Sequence, residues 1–261
     1  MRDAYAYPAD FYDRLQDEEI YENWIKLLQT VKARHGIGKI KTVLDLGCGT
    51  GRLTEHLCFR CYDVTALDKS PEMLSRAVER VRKFTARPVL TLQGDMRTFE
   101  LNDVVDMTVC ALDCLNYLPT RADLVKAFKR VALFMRGDGL FVFDMNTPYK
   151  FKNFYAGHDF VLENREIVCT WQNELAKSGK YCDFYLSFFK EIPSGNYYRV
   201  DETQREYIYS AKTVARALEE AGFCRYYIYG TNEFTDLTDY TDTSPRMFCV
   251  ALRDKRQGDK Q

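Results

Sequence analysis

The stretch VLDLGCGTG, residues 43–51, constrains the fold of this chain more than any other. Residues 42–46 read as a buried strand, and Gly47, Gly49 and Gly51 then turn the chain into a helix over residues 53–60. Glycine lets backbone approach a ligand closely at such a turn. The helix that follows aims its free N–H groups at negative charge. Strand, glycine turn and helix in that order open an α/β fold with a parallel sheet.

The elements around that unit repeat its grammar. Before it, apolar residues at Leu15, Ile20, Trp24, Leu27, Leu28 and Val31 fall at helical spacing within residues 12–33, and His35-Gly36 ends the run. After it, residues 63–67 form a second strand ending at Asp68. Ser70 caps and Pro71 opens a helix that runs to about Phe84. Residues 89–93 and 104–111 read as strands three and four, with Gly94-Asp95 after the third. An amphipathic helix over 120–135 is closed by Gly137 and Gly139 and leads to strand five at 140–144. In open α/β sheets the ligand sits beyond the carboxyl ends of the strands. Here those ends carry Gly47, Asp68, Asp95, Ala111-Leu112-Asp113 and Asp144.

After Pro148 the pattern changes. Residues 160–175, 181–192 and 197–209 read as three aromatic-rich strands, joined by turns at Gly179 and Gly195. A helix over 211–221, capped by Ser210 and stopped by Gly222, precedes two last strands at 223–230 and 246–253. The expected fold is a doubly wound, Rossmann-like α/β domain with a mostly parallel seven-stranded sheet. Residues 1–148 and 210–254 build it, residues 155–209 form a small antiparallel β insertion as lid or dimer contact, and 255–261 form a polar tail.

Composition narrows the partners. Lys and Arg number 37 against 38 Asp and Glu, so no basic excess advertises nucleic acid. No apolar run approaches the roughly 20 residues of a membrane span. The start, MRDAYAYPADFYD, lacks a signal-peptide pattern, and nine scattered cysteines read as reduced thiols of a cytoplasmic protein. Cys58 and Cys61 are spaced C-x-x-C without a second ligand pair, so no metal is expected.

Glycine turns serve dinucleotides too, but Arg52 occupies the third glycine position of G-x-G-x-x-G. Asp45, Gly47, Gly49 and Gly51 instead fit, without a gap, the acidic-x-Gly-x-Gly-x-Gly pattern. The turn resembles motif I of the class I S-adenosylmethionine (SAM)-dependent methyltransferases. The resemblance implies SAM as methyl donor, S-adenosylhomocysteine as product, and Cys48 in the donor-binding turn. It makes Asp68 the acceptor of the ribose hydroxyls, with Lys69 and Met73 beside it. Gly94-Asp95-Met96 matches the adenine side, where Asp95 accepts from the amino group and Met96 packs on the ring. Ala111, Leu112 and Asp113, then Asn116-Tyr117-Leu118, match the strand end facing the methionine portion. The stretch from Ala9 to Tyr12 resembles the lead-in helix of small-molecule members, in which a Tyr closes over SAM.

Methyl transfer from a sulfonium is an in-line displacement that needs alignment more than a fixed catalytic group. A base is required only where the acceptor must lose a proton. Of three histidines, His35 and His56 read as surface or packing residues, and His158 opens the insertion near the pocket. Candidates for base or acceptor contact are therefore His158, Tyr117 and Asp113, with Asn116, Tyr117 and Trp171 lining the acceptor pocket. Arg165, Arg199 and Arg205 are basic residues of the insertion suited to an anionic acceptor. Asp144 reads as a structural cap. The leading expectation is transfer to N, O or S of a small molecule by a monomer or homodimer. An RNA or protein methyltransferase and a non-catalytic SAM-binding protein stay open. Strand four is followed by Asp113-Cys114-Leu115-Asn116 and not by Asn-Pro-Pro-aromatic, which speaks against planar amino acceptors. A nicotinamide dehydrogenase is disfavoured by Arg52 and by the Asp95 motif.

Overall fold

A computed structural model describes residues 11, 13, 17–83, 89–164 and 166–253. The expectations placed on the Ala9–Tyr12 stretch, Leu15, Phe84, Arg165 and the tail lie outside them.

Helix α1 (Glu18–Arg34) starts where Asp17 accepts the Glu19 N–H at 3.1 Å, with Glu18 and Glu19 in its first turn and Lys32 and Arg34 in its last. Both charge placements oppose the helix dipole. The chain then runs β1 (Thr42–Leu46), α2 (Arg52–Phe59), β2 (Asp63–Asp68), α3 (Pro71–Arg82), β3 (Leu90–Gln93) and β4 (Val105–Cys110). A 3₁₀ turn (Cys114–Tyr117), α4 (Arg121–Leu133) and β5 (Met135–Asn146) follow. After β5 come β6 (Phe160–Glu163), β7 (Ile167–Leu175), β8 (Tyr181–Glu191), β9 (Tyr197–Tyr207), α5 (Ala211–Glu220), β10 (Arg225–Thr231), β11 (Thr238–Asp239) and β12 (Arg246–Leu252).

The main sheet has the order β11-β10-β12-β5-β4-β1-β2-β3, parallel from β5 to β3 and antiparallel at β12, β10 and β11. Because β1 lies between β2 and β4, the chain winds one way through β3 and then the other way through β5. That reversal opens a crevice at the carboxyl end of β1. The sheet has eight strands and not the expected seven. The extra one is the two-residue β11, paired at Tyr229↔Asp239 and Gly230↔Thr238, too short to carry a hydropathy period. Helix α4 also stops earlier than expected, at Leu133, because β5 begins at Met135 and takes up the Gly137–Gly139 segment as an irregularity, with Asp138 at φ 72°.

Helices cover both faces of the sheet. One core joins Phe141 and Phe143 to Leu124 and Phe128 of α4 and Leu218 of α5. The other joins Val43, Val109, Val142 and Phe248 to Trp24, Ile25 and Leu28 of α1. Strands β4 and β12 are buried throughout, which is why they read as continuous runs and not as alternating ones. The insertion is a separate antiparallel sheet, β6-β7-β8-β9. It has four strands where three were expected. Asn164 breaks the first, its Oδ1 accepting the N–H groups of Glu166 and Ile167, both at 3.0 Å. Among the described residues no helix is long and apolar enough to cross a membrane.

One side chain joins these layers at the crevice. Asp144, at the end of β5 and 0% exposed, accepts the Trp24 indole N–H at 2.8 Å and the N–H groups of Leu112 and Asp113 at 2.7 and 3.1 Å. Arg246 of β12 donates to its other side. Leu112 and Asp113 are left-handed at φ 56° and 54°. That conformation is costly for side chains other than glycine unless something holds it. Asp144→Asn keeps the shape but removes the charge that Arg246 faces. Breaking a buried pair in this way costs about 3–5 kcal/mol. Urea unfolding of the variant is expected to show a loss of that order with an unchanged slope; a loss within error of zero contradicts this reading.

Candidate active site

A cavity of about 680 Å³ opens at the carboxyl ends of β1, β2 and β4, where the strand order reverses. Its first wall is built from the glycine turn. Gly47 and Gly49 are left-handed at φ 77° and 53° and line the cavity with Asp45, Cys48, Asp68, Lys69 and Met73. A Cβ at Gly47 would lie 3.0 Å from Cys114 Sγ, so the turn passes this close only as glycine. Asp68 ends β2 across from the turn and accepts the Gly49 N–H at 2.8 Å and the Ser70 N–H at 2.9 Å. Burial raises its carboxyl, and these backbone donors oppose the rise. Asp45 lies deeper. Burial pushes its carboxyl up to about 7, against the Thr54 hydroxyl donating at 2.6 Å. Met96, Ala111 and Leu112 complete this wall.

Two residues expected here stand elsewhere. Gly51 does not line the cavity. It caps α2 at φ 80°, and a Cβ on it would lie 2.8 Å from the Ala77 Cβ of α3, so its job is the close crossing of two helices. Asp95 turns its carboxylate to Arg97, accepting from Nε at 2.8 Å, and is absent from the cavity lining. The Arg97 guanidinium holds that carboxyl below its usual range. The described residues also supply a tyrosine that the sequence did not single out: Tyr21 of α1 lines the cavity. Asp13 meets the glycine turn and α3, accepting the Thr50 hydroxyl and the Arg80 guanidinium, each at 2.5 Å.

The opposite wall comes from the insertion and from the ends of β5 and β12. Trp171, Leu186, Phe188, Gln204 and Glu206 face the cavity from β7, β8 and β9, together with Tyr155 and Phe160. Tyr117 lines it and donates to Gln204 Oε1 at 2.8 Å. Asp113 lines it too, paired with Arg246 at 2.7 Å. Lys150 pairs with Glu233 at 2.5 Å, and both reach the cavity. Burial pushes the Lys150 amine down, and Glu233 opposes that.

Other expectations for this wall are corrected. Asn116 is 0% exposed and clamps the two sheets together: Nδ2 donates to the Tyr207 carbonyl at 2.9 Å and Oδ1 accepts the Asn146 N–H at 3.0 Å. It does not line the cavity. His158 is exposed, its Nδ1 3.1 Å from the Ala156 carbonyl, because Gly157 at φ 74° turns the chain outward ahead of it. Arg199 and Arg205 are exposed and pair with Asp201 and Asp183, so neither serves an acceptor in the cavity. His35 and His56 bind Tyr229 and Glu18 at the surface side of α1 and α2. Among the described residues no three His, Cys, Asp or Glu side chains gather as metal ligands. Arg246, Glu206, Lys150 and Glu233 were not foreseen. Only Arg246 left a trace, as a lone charge opening an otherwise apolar strand.

Residues 43–139 match a family model described as a methyltransferase domain. Over 249 residues the chain is 30% identical to "Putative methyltransferase YqeM" of Bacillus subtilis (strain 168), covering 95% of this chain and 96% of the relative. It is 26% identical over 188 residues to dTDP-3-amino-3,6-dideoxy-alpha-D-glucopyranose N,N-dimethyltransferase of Streptomyces fradiae, covering 70% of each. Among solved structures, a S-adenosylmethionine-dependent methyltransferase from Clostridium acetobutylicum ATCC 824 matches with a TM-score of 0.81 at 26% identity, over 94% of this chain and 97% of that one. A likeness running nearly from end to end, on a sheet whose reversal point carries the Asp45–Gly51 turn, makes this chain a member of the class I SAM-dependent methyltransferase family.

Proposed function

We propose that the protein moves the methyl group of SAM to a small-molecule acceptor held against the β insertion. The observation that carries this reading is the shared cavity: one wall is the glycine turn with Asp68, and the other is made of insertion side chains. Its volume, about 680 Å³, lies within the range of small-ligand sites. The relative from Streptomyces fradiae, named for dimethylation of a nucleotide-linked amino sugar, supports an acceptor of small size.

The residues present fit the donor. Gly49 has open space where a Cβ would stand, so its backbone can be approached from the cavity. The Asp68 carboxylate lines the same space and can accept from ribose hydroxyls. SAM supplies an electrophilic methyl on a sulfonium. The chain supplies alignment, which can account for much of an in-line transfer. It also supplies a dry wall. Phe160, Trp171 and Phe188 limit water beside a reaction in which positive charge disperses. We read the insertion, residues 155–209, as a lid whose inner face selects the acceptor.

Asp68→Ala is expected to weaken SAM binding by about tenfold or more, since a charge-assisted hydrogen bond is worth about 1.5–3 kcal/mol. Titration calorimetry reads this, and an unchanged affinity removes Asp68 from the donor site. Incubated with SAM, the purified protein is expected to form S-adenosylhomocysteine with pooled small metabolites and not with RNA or unfolded protein. Activity confined to the macromolecules overturns the acceptor class. Replacing residues 159–209 with a short Gly-Ser linker is expected to spare SAM binding and abolish turnover; turnover that survives the replacement rules out the lid.

A further inference from the structure

Strand β9 carries a carboxylate into the cavity that the other side chains leave without a counter-ion. Glu206 is 4% exposed and lines the cavity, with Oε2 accepting from Asn146 Nδ2 at 2.9 Å. Its second oxygen accepts no hydrogen bond among the described residues. The two cations of this wall are already engaged, Lys150 by Glu233 at 2.5 Å and Arg246 by Asp113 at 2.7 Å and by Asp144. Of the three carboxylates lining this side, Asp113, Glu206 and Glu233, only Glu206 has no ion-pair partner among the described residues.

A second, independent observation comes from the rings. Trp171 sits between Tyr155 and Phe160, with centroids 5.8 and 5.6 Å away, and all three line the cavity. The indole Nε1 of Trp171 is buried with no partner among the described residues. A buried donor left unmade is costly, so this one suits an acceptor atom elsewhere on the ligand. Aromatic faces attract cations, by about 0.5–2 kcal/mol each where water is excluded. A carboxyl without an ion-pair partner and a set of aromatic rings line one cavity, and both suit a cationic guest.

We propose that the methyl acceptor is a small amine that enters as its ammonium ion, held between Glu206 and the rings of Tyr155, Phe160 and Trp171, and that Glu206 is the catalytic residue that takes its proton. This rests on the methyl-transfer reading above. An ammonium has no lone pair to attack with. Its N–H bond must break first, the pair staying on nitrogen and the proton passing to Glu206. The nitrogen pair then forms the N–C bond to the methyl as the C–S bond breaks, its electrons remaining on sulfur. The product carries the positive charge out as a methylammonium, and Glu206 returns its proton to water.

The surroundings favour that first step. Burial pushes the Glu206 carboxyl well above the usual carboxylate range, and Asp113 pushes it further. Its bond from Asn146 and the charges of Arg246 and Lys150 work against the rise. The groups facing it are thus Asp113 at the end of β4, Asn146 of β5, Lys150 and Tyr155 after β5, Cys182 of β8 and Arg246 of β12. In such a wall a neutral acid beside a neutral amine avoids two desolvated charges, so transfer from ammonium to carboxylate is easier than in water.

The test uses the full chain loaded with S-adenosylhomocysteine, with benzylammonium and benzyl alcohol as probes of matched shape, titrated by calorimetry. The ammonium is expected to bind about tenfold or more tightly than the alcohol, a difference of about 1.4 kcal/mol. Its affinity is expected to rise with pH as Glu206 ionises, with an inflection above the ordinary carboxylate range. Glu206→Gln is expected to erase both the preference and the inflection while S-adenosylhomocysteine affinity and melting temperature hold. Should that variant fail to fold, Trp171→Leu carries the same test by narrowing the preference. Equal affinity for the two probes, no binding of the ammonium, or a preference that survives in a folded Glu206→Gln overturns the proposal. Failure of wild type to bind S-adenosylhomocysteine would instead strike the methyl-transfer reading itself.

Discussion

The buried carboxylate of Asp144 is the contact on which the geometry of the crevice depends. It ties α1 to the sheet through the Trp24 indole, and it holds two consecutive left-handed residues at the end of β4. It also positions Arg246, which in turn meets Asp113 and lies over the Phe234 ring at 4.9 Å. Burying a carboxylate is costly, and burial indeed pushes this one up, with Arg246 and Trp24 opposing. The four donors around it offset that cost only while all are in place. One side chain thereby couples a helix, a strained turn and the second wall of the cavity.

The two walls obtain their chemistry by different means. The first wall is mostly backbone: glycines without Cβ atoms, with the N–H groups of Gly47 and Cys48 on the Leu67 carbonyl and that of Gly49 on Asp68, beside the carboxylates of Asp68 and Asp45. A wall of this kind suits a ligand whose features do not vary, as the donor proposed for it does not. The second wall is mostly side chain and comes from an antiparallel sheet whose inner positions alternate along β9. Val200, Gln204 and Glu206 are buried, while Asp201, Thr203 and Arg205 are exposed. Of these inner side chains, Glu206 reaches the main sheet, accepting from Asn146 of β5.

That difference also decides what the sequence could show. The first wall was legible because its signals are local: a strand, three glycines within five residues and an acid at the next strand end. The succession of the first five strands along the chain was legible for the same reason, since the connections between them are short. Gly51 and Asp95 stood in the right motifs, yet their partners, Ala77 and Arg97, decided what each does, and the motif names neither. Of the second wall, Tyr117, Asp113 and Trp171 were legible, but its polar pairs were not, because their members are remote in sequence. Asp113 meets Arg246, Asn146 meets Glu206, and Lys150 meets Glu233. On β9 the polar residues occupy both faces, so no alternation of hydropathy marks Glu206 as inward. His158 drew attention as the histidine nearest the pocket in sequence, but one left-handed glycine ahead of it sends it outward.

The charge pattern of the second wall has a consequence for the reaction. An unpaired anion beside a sulfonium would stabilise the charge that the transition state disperses, and so would raise the barrier. Three of the four carboxylates near Arg246 avoid this by being paired: Asp113 and Asp144 with Arg246, and Glu233 with Lys150. Glu206 is the exception. An acceptor that arrives with its own positive charge removes that exception. Once its proton has passed to Glu206, the wall presents matched ions and a neutral acid to the methyl being moved. An acceptor without a charge brings no proton to Glu206. On the proposal that Glu206 takes the acceptor's proton, the pocket's electrostatics distinguish acceptors by the proton they bring as well as by their shape.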